Sequence, residues 1–163
     1  GNVIGSRGSV VPLFQKLLAG KAKHLPITDP RMTRFWITLQ QGVNFVVSNL
    51  ALMQGGEIFV PKIPSMSLTD LAEAMAPGMP HEVVGTRPGE KVHEVMITND
   101  DARATRELDD RYVIEPAFKD WTENGLAGEN HALVAEDFSY SSDTNTEWLS
   151  IEALRDMIED GEK

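Results

Sequence analysis

Backbone amides are the first groups in this chain that could do chemistry. Gly1-Asn2-Val3-Ile4-Gly5-Ser6-Arg7-Gly8-Ser9 places three glycines in eight residues ahead of a helix start at Val10. Such a loop offers free N–H groups and the positive end of a helix dipole to a phosphate, or it is an ordinary tight turn. It matches neither Gly-x-Gly-x-x-Gly nor Gly-x-x-x-x-Gly-Lys-Ser/Thr, so it is not a standard dinucleotide or Walker loop. Three arginines join it: Arg31 and Arg34 ahead of the second predicted helix, and Arg87 in a Pro-Gly turn after a predicted strand. Guanidinium forks on loops at strand ends chelate phosphate oxygens in pairs where open α/β sheets bind ligands; otherwise each is a solvated surface cation. Glu90, three residues after Arg87, suits a ribose diol, or it pairs with Lys91 or Arg87.

Other chemistries find less support. His24, His81, His93 and His131 lack His-x-x-x-His or Glu-paired spacing, and with no cysteine a zinc site would need scattered ligands, so no metal is expected. No serine occupies a Gly-x-Ser-x-Gly elbow. Trp36, Trp121 and Trp148 read as core or interface anchors, since no basic stripe interleaves with them. The 163 residues, 41% hydrophobic and 25% charged, fit one globular domain's worth of chain. The net charge of −10 disfavours nucleic acid as a partner. That charge is uneven: residues 1–91 carry nine Lys/Arg against six Asp/Glu, and residues 92–163 carry six against nineteen, so the first part is the place to seek an anionic ligand. No apolar run reaches membrane-spanning length, and the absence of cysteine fits a reducing compartment, so a soluble cytoplasmic protein with no membrane partner is expected. The chain opens on Gly1 inside a strand-like segment and reads like a piece of something longer.

These groups need elements to position them. Val10, Val11, Leu13, Phe14, Leu17 and Leu18 recur at helical spacing up to Gly20, with Ser9 placed to cap. Leu25 to Thr28 reads as a short strand. Thr38 and Gln41 form a capping box ahead of Leu39, Val43, Val46, Val47 and Leu50, closed by Gly55-Gly56. Glu57 to Val60 reads as a buried strand, and Ser67 with Asp70 caps a helix carrying Leu68, Leu71, Ala72, Met75 and Ala76. Glu82 to Gly85 is a further strand, Arg87-Pro88-Gly89-Glu90 a turn, and Lys91 to Ile97 one or two helical turns. The alternation predicts an α/β architecture with short parallel strands. Tyr112 to Glu115 reads as a strand, residues 117–145 as an extended loop region, and Ser150 to Asp160 as a last helix. Residues 1–97 thus form a motif-bearing α/β part and residues 98–163 an acidic extension.

The motifs themselves carry a resemblance. The opening Gly1 to Pro12, then Pro26-Ile27-Thr28-Asp29-Pro30-Arg31-Met32-Thr33-Arg34-Phe35-Trp36-Ile37-Thr38-Leu39, closely resemble the second half of the UDP-N-acetylglucosamine 4,6-dehydratases, which are extended short-chain dehydrogenase/reductase proteins. Gly55 to Met66 and Gly85-Thr86-Arg87-Pro88-Gly89-Glu90-Lys91-Val92-His93-Glu94 continue it. Phe138-Ser139-Tyr140-Ser141-Ser142 with Trp148-Leu149 looks like the tail of the soluble inverting subgroup that starts pseudaminic acid synthesis. The likeness runs through nearly the whole chain and is weakest between about residues 99 and 135. Phe35-Trp36-Ile37-Thr38 and Pro61-Lys62-Ile63-Pro64-Ser65 favour the inverting form over the retaining dehydratases and over a dehydratase-epimerase group.

The resemblance implies the carboxyl-terminal, substrate-binding portion of a Rossmann-type fold whose nucleotide-binding half lies upstream. It implies a reaction in which NADP takes hydride from C4 of UDP-N-acetylglucosamine, water leaves across C5 and C6, hydride returns at C6 and C5 inverts. Residue by residue, it implies that Asn2, Ser9 and Val10 touch the sugar-diphosphate, that Arg34 and Arg87 grip the diphosphate, and that Glu90 meets the uridine ribose. It also implies a homo-oligomer at full length. The family's glycine-rich cofactor loop, Tyr-x-x-x-Lys pair and acid/base residues have no counterpart here, so no catalytic residue is expected and the chain alone is expected inactive. A free-standing, non-catalytic nucleotide-sugar binding module is the rival from another class.

Overall fold

In the computed structural model, residues 2–6, 8–116 and 131–161 are described. The chain divides into two units. The first comprises Gly1–Gly42, Ile63–Glu94 and Ser142–Lys163; the second comprises Val43–Lys62 and Val95–Ser141.

In the first unit, β1 (Asn2–Val3) pairs in parallel with β3 (Thr33–Ile37), which pairs antiparallel with β5 (Ser65–Ser67). A second, parallel pair joins β2 (Leu25–Ile27) to β6 (His81–Val83). Three helices belong to the same unit: α1 (Val10–Ala19), α3 (Leu68–Met75) and α5 (Ile151–Gly161). The 3.6-residue periodicity of α1 sends Val11 and Phe14 inward, where they join Leu25, Ile27, Trp36, Met66, Leu71 and Leu154 in one apolar core. Phe14, Leu71 and Leu154 are fully buried, each contributing about 1.5–3 kcal/mol of transfer free energy. Ser67 caps α3 by accepting the Asp70 N–H at 3.0 Å, as its spacing predicts.

In the second unit, β9 (Arg111–Ile114) lies between β4 (Ile58–Pro61) and β8 (Thr105–Glu107), all antiparallel. β7 (Val95–Ile97) pairs antiparallel with β10 (Tyr140–Ser141), and α4 (Asn99–Ala102) follows β7 behind a Thr98–Asp101 capping box. Helix α2 (Leu39–Asn49) starts at the end of the first unit's segment and continues into the second. Its Thr38–Gln41 capping box is reciprocal: the Gln41 N–H donates to Thr38 Oγ1 at 3.1 Å, and the Thr38 N–H donates to Gln41 Oε1 at 2.9 Å.

The structure corrects several expectations. Lys91 to Ile97 is not helical: residues 91–94 are irregular and Val95–Ile97 is strand β7, because Val-Met-Ile is a β-favouring run that finds a partner in β10. Among the described residues the strand pairs β1–β3 and β2–β6 are parallel and the other strand pairs antiparallel, so the sheets are small and one of them, β1-β3-β5, is mixed. Arg34 stands inside strand β3 rather than on a loop. Helix α2 stops at Asn49, short of Gly55-Gly56, and its apolar stripe is exposed instead of buried. Ser9 occupies the N-cap of α1, yet its hydroxyl makes no capping hydrogen bond. Within the region read as loop, Tyr140–Ser141 is a strand, while residues 117–130, Trp121 among them, lie outside the described residues.

Candidate functional site

A cleft of about 550 Å³ opens in the first unit, lined by Asn2, Ser9, Val10, Arg34, Arg87 and Glu90. These are the six residues that the resemblance implies for ligand contact, while Arg31, the third candidate arginine, is not among the lining residues. Pro26, Met32 and Leu68 supply apolar wall between them, and Thr28 adds a hydroxyl-bearing side chain. The glycine loop delivers Ser9 and Val10 to the cleft by turning sharply: Gly5 and Gly8 hold φ of 71° and 78°, a left-handed conformation that side-chain-bearing residues avoid. Helix α1 then begins at the cleft wall. The N–H groups of Val10 and Val11 have no acceptor within the helix, and Pro12 has no N–H to satisfy. The Ser9 hydroxyl oxygen is buried with no hydrogen-bond partner among the described residues. A buried hydroxyl in that state costs free energy that a ligand oxygen would recover.

Arg87 and Glu90 arrive on one turn. The Glu90 N–H donates to the Arg87 carbonyl at 3.0 Å, Pro88 fixes the second position, and Gly89 at φ 81° fills the third, the pattern of a type II turn. Glu90 folds back, its Oε2 accepting the Arg87 N–H at 3.0 Å, which leaves Oε1 for another donor. The exposed Arg87 guanidinium has no partner among the described residues. Arg31, by contrast, is taken up locally: its Nε and Nη2 donate to Asp29 Oδ1 and Oδ2 at 3.0 and 2.7 Å, and it does not line the cleft. Hydrogen bonds from Arg31 hold the Asp29 carboxyl down at about 2.

Arg34 is committed mainly to the backbone. Its Nη1 donates to the carbonyls of Thr33 and Val92 at 2.7 and 2.9 Å, and its Nη2 to the carbonyl of Lys91 at 2.8 Å. The remaining Nη2 hydrogen rests near Met32 Sδ at 3.6 Å, and Glu94 Oε1 stands 3.8 Å from Nε. Arg34 therefore fastens the segment that follows the Arg87–Glu90 turn, with its terminal N–H groups engaged, and brings its charge to the cleft wall. A second fastening lies next to it, and sequence reasoning missed it. Thr33 Oγ1 bonds both His93 Nδ1 at 2.9 Å and Ser142 Oγ at 2.6 Å, and Ser142 Oγ accepts the Glu94 N–H at 2.9 Å. Ser142 stands at the end of the tail motif, but nothing in sequence spacing ties it to a threonine 109 residues earlier.

Neither tyrosine of the chain has the Tyr-x-x-x-Lys spacing that the resemblance links to a nicotinamide cofactor. Tyr112 and Tyr140 are followed four residues later by Pro116 and Thr144 rather than lysine. Both are buried, with Tyr112 packed on Phe138 and Tyr140 at centroid distances of 5.1 Å.

A sequence family described as "Polysaccharide biosynthesis protein" matches residues 1–116. This chain belongs to that polysaccharide biosynthesis family. Among curated relatives, the inverting UDP-N-acetylglucosamine 4,6-dehydratase of Campylobacter jejuni (strain 81-176) is 54% identical over 97% of this chain and 49% of its own length. A protein named UDP-glucose 4-epimerase from Rickettsia canadensis is 33% identical over 97% of this chain and 47% of its own. Among solved structures, Pen from Bacillus thuringiensis superposes with a TM-score of 0.78 at 34% identity, over 98% of this chain and 47% of that one. The fold is thus that of part of an extended short-chain dehydrogenase/reductase, and the chain spans about half the length of the curated relatives it matches.

Proposed function

We propose that this chain forms the UDP-sugar grip of a C5-inverting UDP-N-acetylglucosamine 4,6-dehydratase, the carboxyl-terminal portion of a longer cytoplasmic, homo-oligomeric enzyme. The observation that carries the reading is the gathering of Asn2, Ser9, Val10, Arg34, Arg87 and Glu90 around one cleft, in a chain 54% identical to a protein of that name. Within the proposal, the unpartnered Arg87 guanidinium chelates the diphosphate, and the α1 N-terminus adds the N–H groups of Val10 and Val11. The Ser9 hydroxyl and Asn2 reach the sugar side, Glu90 Oε1 accepts from the uridine ribose, and Arg34 contributes charge while holding the Arg87 turn.

Hydride transfer is assigned to NADP on the remaining part of the longer polypeptide, because this chain lacks the residues for it. The residues here bind and orient substrate and move no proton or hydride. Calorimetric titration of UDP into the protein and into Arg87→Ala tests this. Arg87→Ala is expected to lose about 1–3 kcal/mol of binding, roughly 5- to 150-fold in Kd, the loss of a charge-assisted contact. Equal affinity in the two proteins, or no preference for UDP over uridine, would remove the diphosphate from the cleft.

A further inference from the structure

The Arg87–Glu90 turn hangs between two attachments in the first unit. Upstream, the Val84 N–H donates to the Ile27 carbonyl at 2.9 Å. From Val84 to Lys91 every residue is exposed, and among the described residues the hydrogen bonds of residues 85–90 are those within the turn itself. The position of the turn is therefore set where the chain re-enters the fold, at residues 91–94. Arg34 holds the carbonyls of Lys91 and Val92. The next two residues are held by Thr33 of β3 and by Ser142, which follows β10. Ser142 exchanges two bonds with Glu94: its N–H donates to the Glu94 carbonyl at 2.8 Å, and its Oγ accepts the Glu94 N–H at 2.9 Å.

The hydroxyl hydrogens decide the rest. Thr33 and Ser142 are both buried, so each hydroxyl needs an acceptor inside the fold. Two contacts are open to them, Ser142 Oγ to Thr33 Oγ1 at 2.6 Å and Thr33 Oγ1 to His93 Nδ1 at 2.9 Å. A hydrogen on Nδ1 would donate to Thr33, the two hydroxyls would compete for the one remaining contact, and one buried hydroxyl hydrogen would lose its acceptor at a cost in free energy. With Nδ1 bare, both contacts are used: Ser142 donates to Thr33, and Thr33 donates to His93. The chain then runs one way, from Glu94 N–H through Ser142 and Thr33 to His93 Nδ1, and the ring hydrogen sits on Nε2.

We propose that Thr33 and Ser142 are positioning residues of the nucleotide site. Their one-way hydrogen-bond chain fixes His93 as the Nε2–H tautomer and, through His93 and Glu94, sets where the Arg87–Glu90 turn stands in the cleft. Neither hydroxyl residue lines the cleft, so both act on the ligand through the turn. The effect on affinity rests on the reading of the cleft as a diphosphate site; the tautomer does not.

Two measurements test this. Long-range proton–nitrogen NMR on histidine-labelled protein in mildly alkaline solution reads the tautomer without any substitution, and His93 is expected with Nδ1 bare and Nε2 protonated. Calorimetric titration with UDP then compares variants whose circular dichroism matches the parent. Thr33→Val is expected to weaken UDP binding about three- to tenfold, and Thr33→Ser, which keeps the hydroxyl, to restore it. Adding Ser142→Ala to Thr33→Val should cost little more, because both break the same chain. A hydrogen on His93 Nδ1, parent-like affinity in Thr33→Val, or an equal loss in Thr33→Val and Thr33→Ser would each overturn the proposal while Arg87→Ala still weakened binding. Parent-like affinity in Arg87→Ala would overturn the ligand reading and the positioning role with it, a failure told apart by the tautomer standing as expected.

Discussion

Replacing Arg34 with alanine should destabilise the first unit by an amount that the structure allows to be worked out. Three carbonyls lose a charged donor: Thr33 O, Val92 O and Lys91 O. Hydrogen bonds to charged groups are each worth about 1.5–3 kcal/mol net. Not all of that is lost, because Val92 O keeps the Thr33 N–H at 3.1 Å and Lys91 is exposed enough for water to replace the guanidinium. The net cost is therefore close to that of one such bond, about 2–3 kcal/mol. For a chain of this size each kcal/mol moves the melting temperature by about 2–4 °C, so Arg34→Ala should melt about 4–12 °C lower. Arg34→Lys should fall between, since one ammonium cannot span carbonyls on both strand and loop. Thermal unfolding followed by circular dichroism, with urea titration as a check, reads the effect. UDP affinity should fall alongside, because the Arg87 turn is left unfastened. A melting temperature within about 1 °C of the parent would refute the clamp.

Ser142→Ala leaves the Glu94 N–H without its acceptor in a fully buried position and should cost about 1–3 kcal/mol in urea unfolding. Arg111→Ala leaves the buried Asn49 amide oxygen without its charged donor while the exposed Asp110 is resolvated, and about 1–3 kcal/mol should be lost in the same assay. The carboxyl of Asp29, lowered to about 2 by Arg31, contributes stability that is complete above its ordinary value near 3.8 and disappears as pH falls through about 2. A carbon-detected NMR titration should show that midpoint, and Arg31→Ala should return it towards 3.8. Gly89→Val forces a branched side chain into φ 81°, so it should weaken UDP binding by distorting the turn while leaving the core intact, as judged by calorimetry beside circular dichroism.

Much of the site was legible because it depends on local rules. A glycine loop running into a helix, and Pro-Gly between Arg87 and Glu90, specify their own turns, so these two turns of the cleft are readable from local sequence, whereas it is the family resemblance that names Asn2, Ser9, Val10 and Arg34 as ligand contacts. The capping pairs Thr38–Gln41 and Ser67–Asp70 are local in the same sense. What escaped is long-range. Strand β3 reads as a pre-helix segment until Met66 and Ser67 pair with it, and β7 looks helical until β10 supplies its ladder. Arg34 reads as a ligand cation because nothing in its neighbourhood announces three carbonyls, two of them 57 and 58 residues away. The stripe on α2 follows helical periodicity, but periodicity identifies an apolar face without saying whether the fold buries it, and Val43, Val46, Val47 and Leu50 are exposed.

The central claim is that a nucleoside diphosphate occupies the cleft at the start of α1. Amide chemical-shift perturbation on adding UDP tests it most directly. The account predicts the largest shifts at Ser9, Val10, Val11, Arg87 and Glu90, saturating together with one Kd and absent with uridine. Shifts confined to other parts of the chain, or none at UDP concentrations that saturate calorimetric binding, would contradict it.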